Sequence, residues 1–285
     1  MIDYLETAHE RWVEAGYPEE PGVDRVVAYA FPHPAAVRHY PVRFPKSRAA
    51  MAGVYCMDTA TVIGPGTYRG ARAAVDGALT AARLVRDGAR AAYAPVRPPG
   101  HHAGSRYFGG SCYLNSAAVS AEWLIRNGVG RVAIIDIDAH HGNGTQEIFY
   151  ERSEVAYVST HVDPGEGWFP HWCGFDDEIG LGSGRGANLN LPMAPGSGDG
   201  EFADKVARAC EWVGEQGPDV LVVSLGVDAG AADPESPLRV SNEGFAGAGR
   251  AIASLDVPAV LIQEGGYHLA SLGQDVMAIL SAFET

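Results

Sequence analysis

RVAIIDIDAHHGNG, residues 131–144, passes directly from a β-branched apolar run into carboxylates, paired imidazoles and glycines. The apolar part does not alternate with polar residues, so it reads as a strand buried on both faces, the mark of a parallel sheet covered by helices. Working outward, LNSAAVSAEWLIRNG (114–128) precedes it as a helix that stops at Gly128, and a helix near 145–151 follows. Further strands are expected at ARAAYAPVR (89–97), EVAYVST (154–160), DVLVVSLGV (219–227) and VPAVLIQEG (257–265). Helices are expected at about 200–216, 242–255 and 268–283, whereas 163–198 is rich in Gly, Pro and Asp and reads as irregular. The fold class is therefore α/β, a parallel sheet with helices on both faces. Before residue 89, helices are expected near 3–15 and 67–88. Prolines at 18, 21, 32, 34, 41 and 45 make 16–66 a long loop region packed on the same unit, so residues 1–285 read as a single domain.

Composition narrows the function classes. Apolar residues make up 46% of the chain and charged residues 20%, enough for a sizeable core. Charge arithmetic gives 21 − 35 = −14, a field that repels a phosphate backbone and attracts a small cation, so no nucleic-acid partner is expected. No apolar run approaches the ~20 residues that span a bilayer, and the acidic start MIDYLETAHE lacks a secretory layout. A cytoplasmic location and no membrane partner are the expectation. Cys56, Cys112, Cys173 and Cys210 lie far apart with no CxxC pair, which argues against a disulfide framework. Glycine is in surplus, 36/285 or about 13% against a norm of ~7%, and such a surplus builds sharply turning loops.

Ligands in open α/β sheets bind beyond the carboxyl ends of the strands, and every strand here ends in reactive residue types. RPPGHHAG carries His101 and His102; IDIDAHHGNG carries Asp136, Asp138, His140, His141 and Asn143; LGVDAGAADPE carries Asp228; QEGGYHL carries Tyr267. Asp138 and His140 are two apart and share a side of an extended segment, and Asp228 is a third ligand candidate from another strand. Two carboxylates and one imidazole with open positions suit catalytic zinc, although a short DxDxH string also occurs as a polar strand cap. His101 and His102 each need a partner on the second ring nitrogen, for which Asp136 and Asn143 are available. An Asp partner makes an imidazole more basic than an Asn partner does, so the two should titrate apart. Tyr267 follows two glycines and its hydroxyl is a candidate oxyanion donor, or else a core tyrosine beside a tight turn.

RPPGHHAG (97–104), FGGSCYLNSAA (108–118), IDIDAHHGNGTQEIFYER (135–152), VVSLGVDAGAADP (222–234) and EGGY (264–267) together resemble the histone deacetylase superfamily, and more closely its bacterial acetylpolyamine amidohydrolases and class II deacetylase-like proteins. YLETAHERWVEAGY (4–17) also resembles that branch. The resemblance implies an arginase/deacetylase-like fold and one zinc ion on Asp138, His140 and Asp228. It implies a metal-activated water attacking an amide carbonyl, with His102 as general base and then acid. His101 backed by Asp136 would complete the dyad, with Asn143 and Tyr267 also in the catalytic set. It further implies a structural potassium at Asp136, Asp138, His140, Ser159 and Thr160, and a substrate tunnel at Gly110, Ser111, Phe169, Glu235 and Gly265. The branch tends to dimerise through its early loop, so a homodimer through 16–66 is an expectation.

Three departures from the family pattern stand out. The family carries additional N-terminal sequence, including edge strands of the sheet, so the strand at 89–97 is expected to be a bare or differently covered edge. Ser111 stands where the family has an aromatic tunnel wall, and Phe169 keeps the opposite one. Ala49 and Ala60 stand where the polyamine enzymes carry acids, whereas Glu235 supplies an acid at the tunnel mouth. The leading expectation is deacetylation of a small acetylated cationic amine. The alternatives are an acetyl-lysine deacetylase or biosynthetic N-acyl deacylase and, from another class, a catalytically silent binding protein.

Overall fold

The computed structural model describes residues 1–15, 25–39, 43–44, 46 and 51–284. Within the expected 16–66 loop region, residues 16–24, 40–42, 45 and 47–50 lie outside the described residues. Six parallel strands form one sheet in the order β1-β6-β5-β2-β3-β4. They are β1 (Ala91–Ala94), β2 (Val132–Asp136), β3 (Val155–Val162), β4 (Asn188–Met193), β5 (Val220–Leu225) and β6 (Ala259–Gln263). Every residue of β2, β3 and β5 is buried, as the apolar runs that open these strands lead one to expect.

Helices cover both faces. Against one pack α4 (Thr67–Arg86), α5 (Ser116–Arg126) and α6 (Asn143–Phe149), meeting Val132, Ile134, Val155 and Tyr157. Against the other pack α7 (Asp199–Gln216), α8 (Asn242–Ala253) and α9 (Leu269–Leu280), meeting Ala133, Ile135, Leu221 and Val223. The local causes are ordinary. In α4 the buried residues Ala71, Ala74, Val75, Ala78, Ala81, Ala82 and Val85 recur at helical spacing, and Arg83 and Arg86 sit in its last turn, where the helix dipole favours cations. Asn115 caps α5, its side chain accepting the Ala118 N–H at 2.8 Å. Around the start of α4, a third apolar cluster gathers α1 (Ile2–Glu14), Val26, Ala28 and Ile63 with Phe108 and Tyr113, and also holds Ala52 of α3 (Ala52–Tyr55). The short α2 (Pro34–Val37) begins with a proline at its first position. No helix among the described residues is long and apolar enough to cross a membrane.

One expectation is corrected. Segment 163–198 is not wholly irregular, because NLNLPM forms β4 on the outer edge of β3. Its alternation of Asn and Leu is the pattern of an edge strand, and Pro192 is tolerated there because an edge strand leaves one side of its backbone unpaired. At the other margin β1 pairs only with β6 among the described residues. From β2 the chain proceeds outward to β3 and β4, then returns to the other side of β2 for β5 and β6. The crevice beyond the carboxyl ends of β2 and β5 is thus the topological switch point. Asp136 and Ser224 are register partners across it, so Asp138 and Asp228 emerge side by side.

Leu221, wholly buried on β5, and Leu84, 54% exposed on α4, give a direct check of this packing. Leu221→Ala should cost about 2–5 kcal/mol in urea unfolding, and Leu84→Ala no more than about 0.5 kcal/mol.

Candidate active site

Beyond Asp136 the chain alternates its contents. Ile137 and Ala139 enter the core, while Asp138 and His140 turn toward the crevice with Asp228. One ligand atom from each of Asp138, His140 and Asp228 lies within 4.8 Å of the others. His140 Nδ1 is 3.0 Å from Asp228 Oδ2 and 3.5 Å from Asp138 Oδ1. Backbone amides hold both carboxylates in place. Ala139 N–H donates to Asp228 Oδ1 at 2.9 Å, His140 N–H to Asp138 Oδ1 at 2.9 Å, and Gly265 N–H to Asp138 Oδ2 at 2.8 Å. Gly265 must lack a side chain, because a Cβ there would stand 2.6 Å from a carboxylate oxygen of each aspartate.

The electrostatics match a cation site. Burial and the neighbouring Asp138 charge push Asp228 up to about 6. Burial opposes protonation of His140, yet Asp138 and Asp228 together raise it to about 10. Burial also opposes ionisation of Asp138, but charge on His101 and hydrogen bonding to His140 hold its carboxyl well below the usual range. Two buried carboxylates with a nitrogen between them therefore draw in positive charge. Their oxygen and nitrogen donors, three in number, fit a catalytic zinc ion.

A second group, His101, Cys112 and Glu264, also brings ligand atoms within 4.8 Å. It fits a metal poorly. Burial and Glu264 keep the Cys112 thiol well above its ordinary value, so the thiolate a metal needs is disfavoured. One Glu264 oxygen already accepts the N–H groups of Gly100 and His101, at 2.6 and 3.1 Å.

The paired histidines are buried and differ in their partners. His101 Nδ1 lies 3.1 Å from Asp136 Oδ2, an oxygen that also accepts the Tyr157 hydroxyl at 3.1 Å. His102 Nδ1 lies 2.8 Å from Asn143 Oδ1. The Asn143 amide is oriented by its NH2, which donates to Tyr107 Oη at 3.1 Å, so its oxygen faces His102. His102 therefore donates from Nδ1 and leaves Nε2 as its acceptor. Burial lowers both imidazoles, but Asp138 and Asp136 more than compensate at His101 and raise it. At His102 burial and the charge on His101 act together and lower it well below the ordinary value.

Phe169 stacks edge-on against His102, with ring centroids 4.7 Å apart and planes at 82°. Gly110 adopts a left-handed φ of 56°, and a Cβ there would meet His102 at 2.3 Å and Phe169 at 2.8 Å. Ser111 is exposed and also left-handed, with φ 60°, and its N–H donates to Thr61 Oγ1. Tyr267 is 43% exposed, and its pKa is raised by partial burial and by the charge of Asp228 and Asp138. Glu235 is exposed on the loop between β5 and α8. Ala60 is exposed, and Ala49 lies outside the described residues. Ser159 and Thr160 are buried on β3 beside Asp136, and the Ser159 hydroxyl is 2.8 Å from His161 Nδ1.

Several supporting residues escape a motif reading. Glu264 opens the EGGY string, but its anchoring of the Gly100–His101 turn is not displayed there. Asp58 accepts N–H groups from Ala60, Thr61 and Gly110 at 2.7–2.8 Å, a turn signature visible in DTAT that fixes the Gly110 backbone. Glu178 accepts from Gln146 at 2.6 Å and from the Gly174 N–H at 2.8 Å, pinning the loop that carries Phe169. Nothing in the local sequence marks Glu178.

Comparison with known proteins agrees with this geometry. The histone deacetylase domain family matches residues 4–283. A Mycoplana ramosa protein named acetylpolyamine amidohydrolase is 39% identical over 279 residues, covering 98% of this chain and 79% of that one. A Burkholderia pseudomallei protein of the same name is 42% identical over 282 residues, covering 99% and 79%. The crystal structure of the acetylpolyamine aminohydrolase from Burkholderia pseudomallei, from an iodide soak, superposes with a TM-score of 0.90 at 42% identity, over 99% of this chain and 79% of that one. With the family model matching residues 4–283 and relatives 39–42% identical over nearly the whole chain, the chain belongs to the histone deacetylase family and is a hydrolase of the deacetylase class.

Proposed function

We propose that the chain removes the acetyl group from a small cationic amine of the acetylpolyamine kind. The observation that carries this reading is the convergence of Asp138, His140 and Asp228 within 4.8 Å beside a His102 whose tautomer leaves Nε2 free to accept a proton. These three residues would hold one zinc ion. When bound, it supplies Lewis acidity, polarising the amide carbonyl and lowering the pKa of a water. His102 Nε2 takes the proton from the attacking water and returns it to the departing amine nitrogen, a role suited to an imidazole kept neutral. His101 stays charged between Asp136 and Asp138 and adds positive potential beside the site. The raised pKa of Tyr267 keeps its hydroxyl protonated, so it donates to the carbonyl oxygen as negative charge grows there.

The −14 net charge, the exposed Glu235 and the relatives named acetylpolyamine amidohydrolase favour a cationic substrate. Ser111 in place of an aromatic wall favours a second reading, acetyl-lysine on a protein, since a wider tunnel admits a bulkier chain. A structural potassium at the main-chain oxygens of Asp136, Asp138, His140 and Thr160 with the Ser159 hydroxyl belongs to the same proposal. So does the cytoplasm, a reducing compartment in keeping with four unpaired cysteines.

Measured kcat/KM should favour N-acetylputrescine and N-acetylcadaverine over an acetyl-lysine peptide, and a clear peptide preference selects the second reading. Tyr267→Phe should lower kcat by about 10²–10³-fold while zinc content stays at one per chain, and full activity in that variant contradicts the donor role. Charge reversal in Glu235→Lys should raise KM for cationic substrates more than for neutral ones, and equal effects refute the selecting role of that acid. Added zinc should raise the melting temperature of metal-stripped wild type and leave that of Asp228→Asn unmoved.

A further inference from the structure

Asp233 stands on the loop between β5 and α8 and is buried, although its neighbours Pro234 and Glu235 are exposed. Its own N–H donates to the Gly230 carbonyl at 2.9 Å, and its carbonyl accepts the Ser236 N–H at 3.2 Å, so consecutive tight turns aim its side chain across to the loop after β6. There the carboxylate is divided between two segments. Oδ2 accepts the backbone N–H of Tyr267 at 2.6 Å and of His268 at 2.9 Å, while Oδ1 accepts the N–H of Glu235 at 3.0 Å. His268 is the N-cap of α9 but its side chain makes no cap hydrogen bond to that helix's backbone, so Asp233 supplies an acceptor at this helix entry from another loop.

We propose that Asp233 is a positioning residue that fixes the spacing between the Tyr267 hydroxyl and the Glu235 carboxylate, and so sets the preference for a cationic amine. The proposal rests on the roles given to Tyr267 and Glu235 under Proposed function. The chemistry favours a carboxylate because it is an acceptor on both oxygens, and three N–H groups converge on it. Asparagine has one such oxygen. Turned toward Tyr267 and His268 it keeps two bonds, whereas turned toward Glu235 it keeps one, so Asp233→Asn should hold the tyrosine loop and release the Glu235 loop.

The experiment compares N-acetylputrescine with its neutral analogue N-acetylbutylamine in the zinc-loaded enzyme, for wild type, Asp233→Asn and Glu235→Gln. Asp233→Asn should raise KM for N-acetylputrescine by roughly threefold to tenfold and alter kcat/KM for N-acetylbutylamine by less, the scale expected for one displaced, partly exposed charge. The affinity of unacetylated 1,4-diaminobutane, read by calorimetry, should weaken by a similar factor. An equal loss on both substrates, or none on either, overturns the proposal, since a merely structural role would not separate them. Loss of cation preference in Glu235→Gln without loss in Asp233→Asn removes the positioning role alone. An unchanged preference in Glu235→Gln removes the reading of Glu235 and this inference with it. Should Asp233→Asn fail to fold, amide exchange on the wild-type chain decides. Joint protection of the Glu235, Tyr267 and His268 amides supports the clamp, and fast exchange at Tyr267 and His268 overturns it.

Discussion

Two buried carboxylates lie side by side, and in isolation each would drive the other toward neutrality. Asp138 and Asp228 are held together because main-chain N–H groups of Ala139, His140 and Gly265 occupy their outer oxygens, leaving the remaining lone pairs turned toward His140. That arrangement costs free energy unless a cation sits among them. The surrounding architecture serves to sustain it. The strand order places β2 next to β5, the register brings Asp136 opposite Ser224, and Gly265 approaches closely enough to donate its amide.

The remaining side chains are graded around this centre by charge. His101 receives the negative potential of Asp136 and Asp138 and is raised, while His102, bonded only to the neutral Asn143, is lowered by burial and by its charged neighbour. Adjacent residues of one type are thus pushed in opposite directions, His101 upward by its carboxylate neighbours and His102 downward by burial and by His101. Loops are then tied to the same floor by acids, of which Glu264 is buried and Asp58 and Glu178 are half-buried. Glu264 holds the histidine turn, Asp58 the Gly110 backbone and Glu178 the segment bearing Phe169.

Much of this was legible in the amino-acid string because it lies in contiguous runs. VAII, VLVV and AVLI have no polar interruption, so their burial on both faces follows from the residues themselves. The motif residues sit directly after those runs, which is why the carboxyl ends of the strands could be read as the site. The failures have a different physical character. β4 is hidden because two of its buried positions are asparagines, Asn188 and Asn190, whose amides are satisfied by the distant Gln146 and Glu178. Glu264 and Asp58 reach backbone amides far along the chain, and Glu178 reaches the distant Gln146 side chain, and a string of letters does not display which amide a carboxylate will meet.

X-ray absorption at the zinc edge of the zinc-loaded protein tests the central claim most directly, because it reads the donor atoms rather than the chemistry that follows. The account predicts a first shell of oxygen and nitrogen only, at about 2.0–2.2 Å. A sulfur scatterer at about 2.3 Å would place the ion with Cys112 instead, and would contradict the assignment of Asp138, His140 and Asp228 as its ligands.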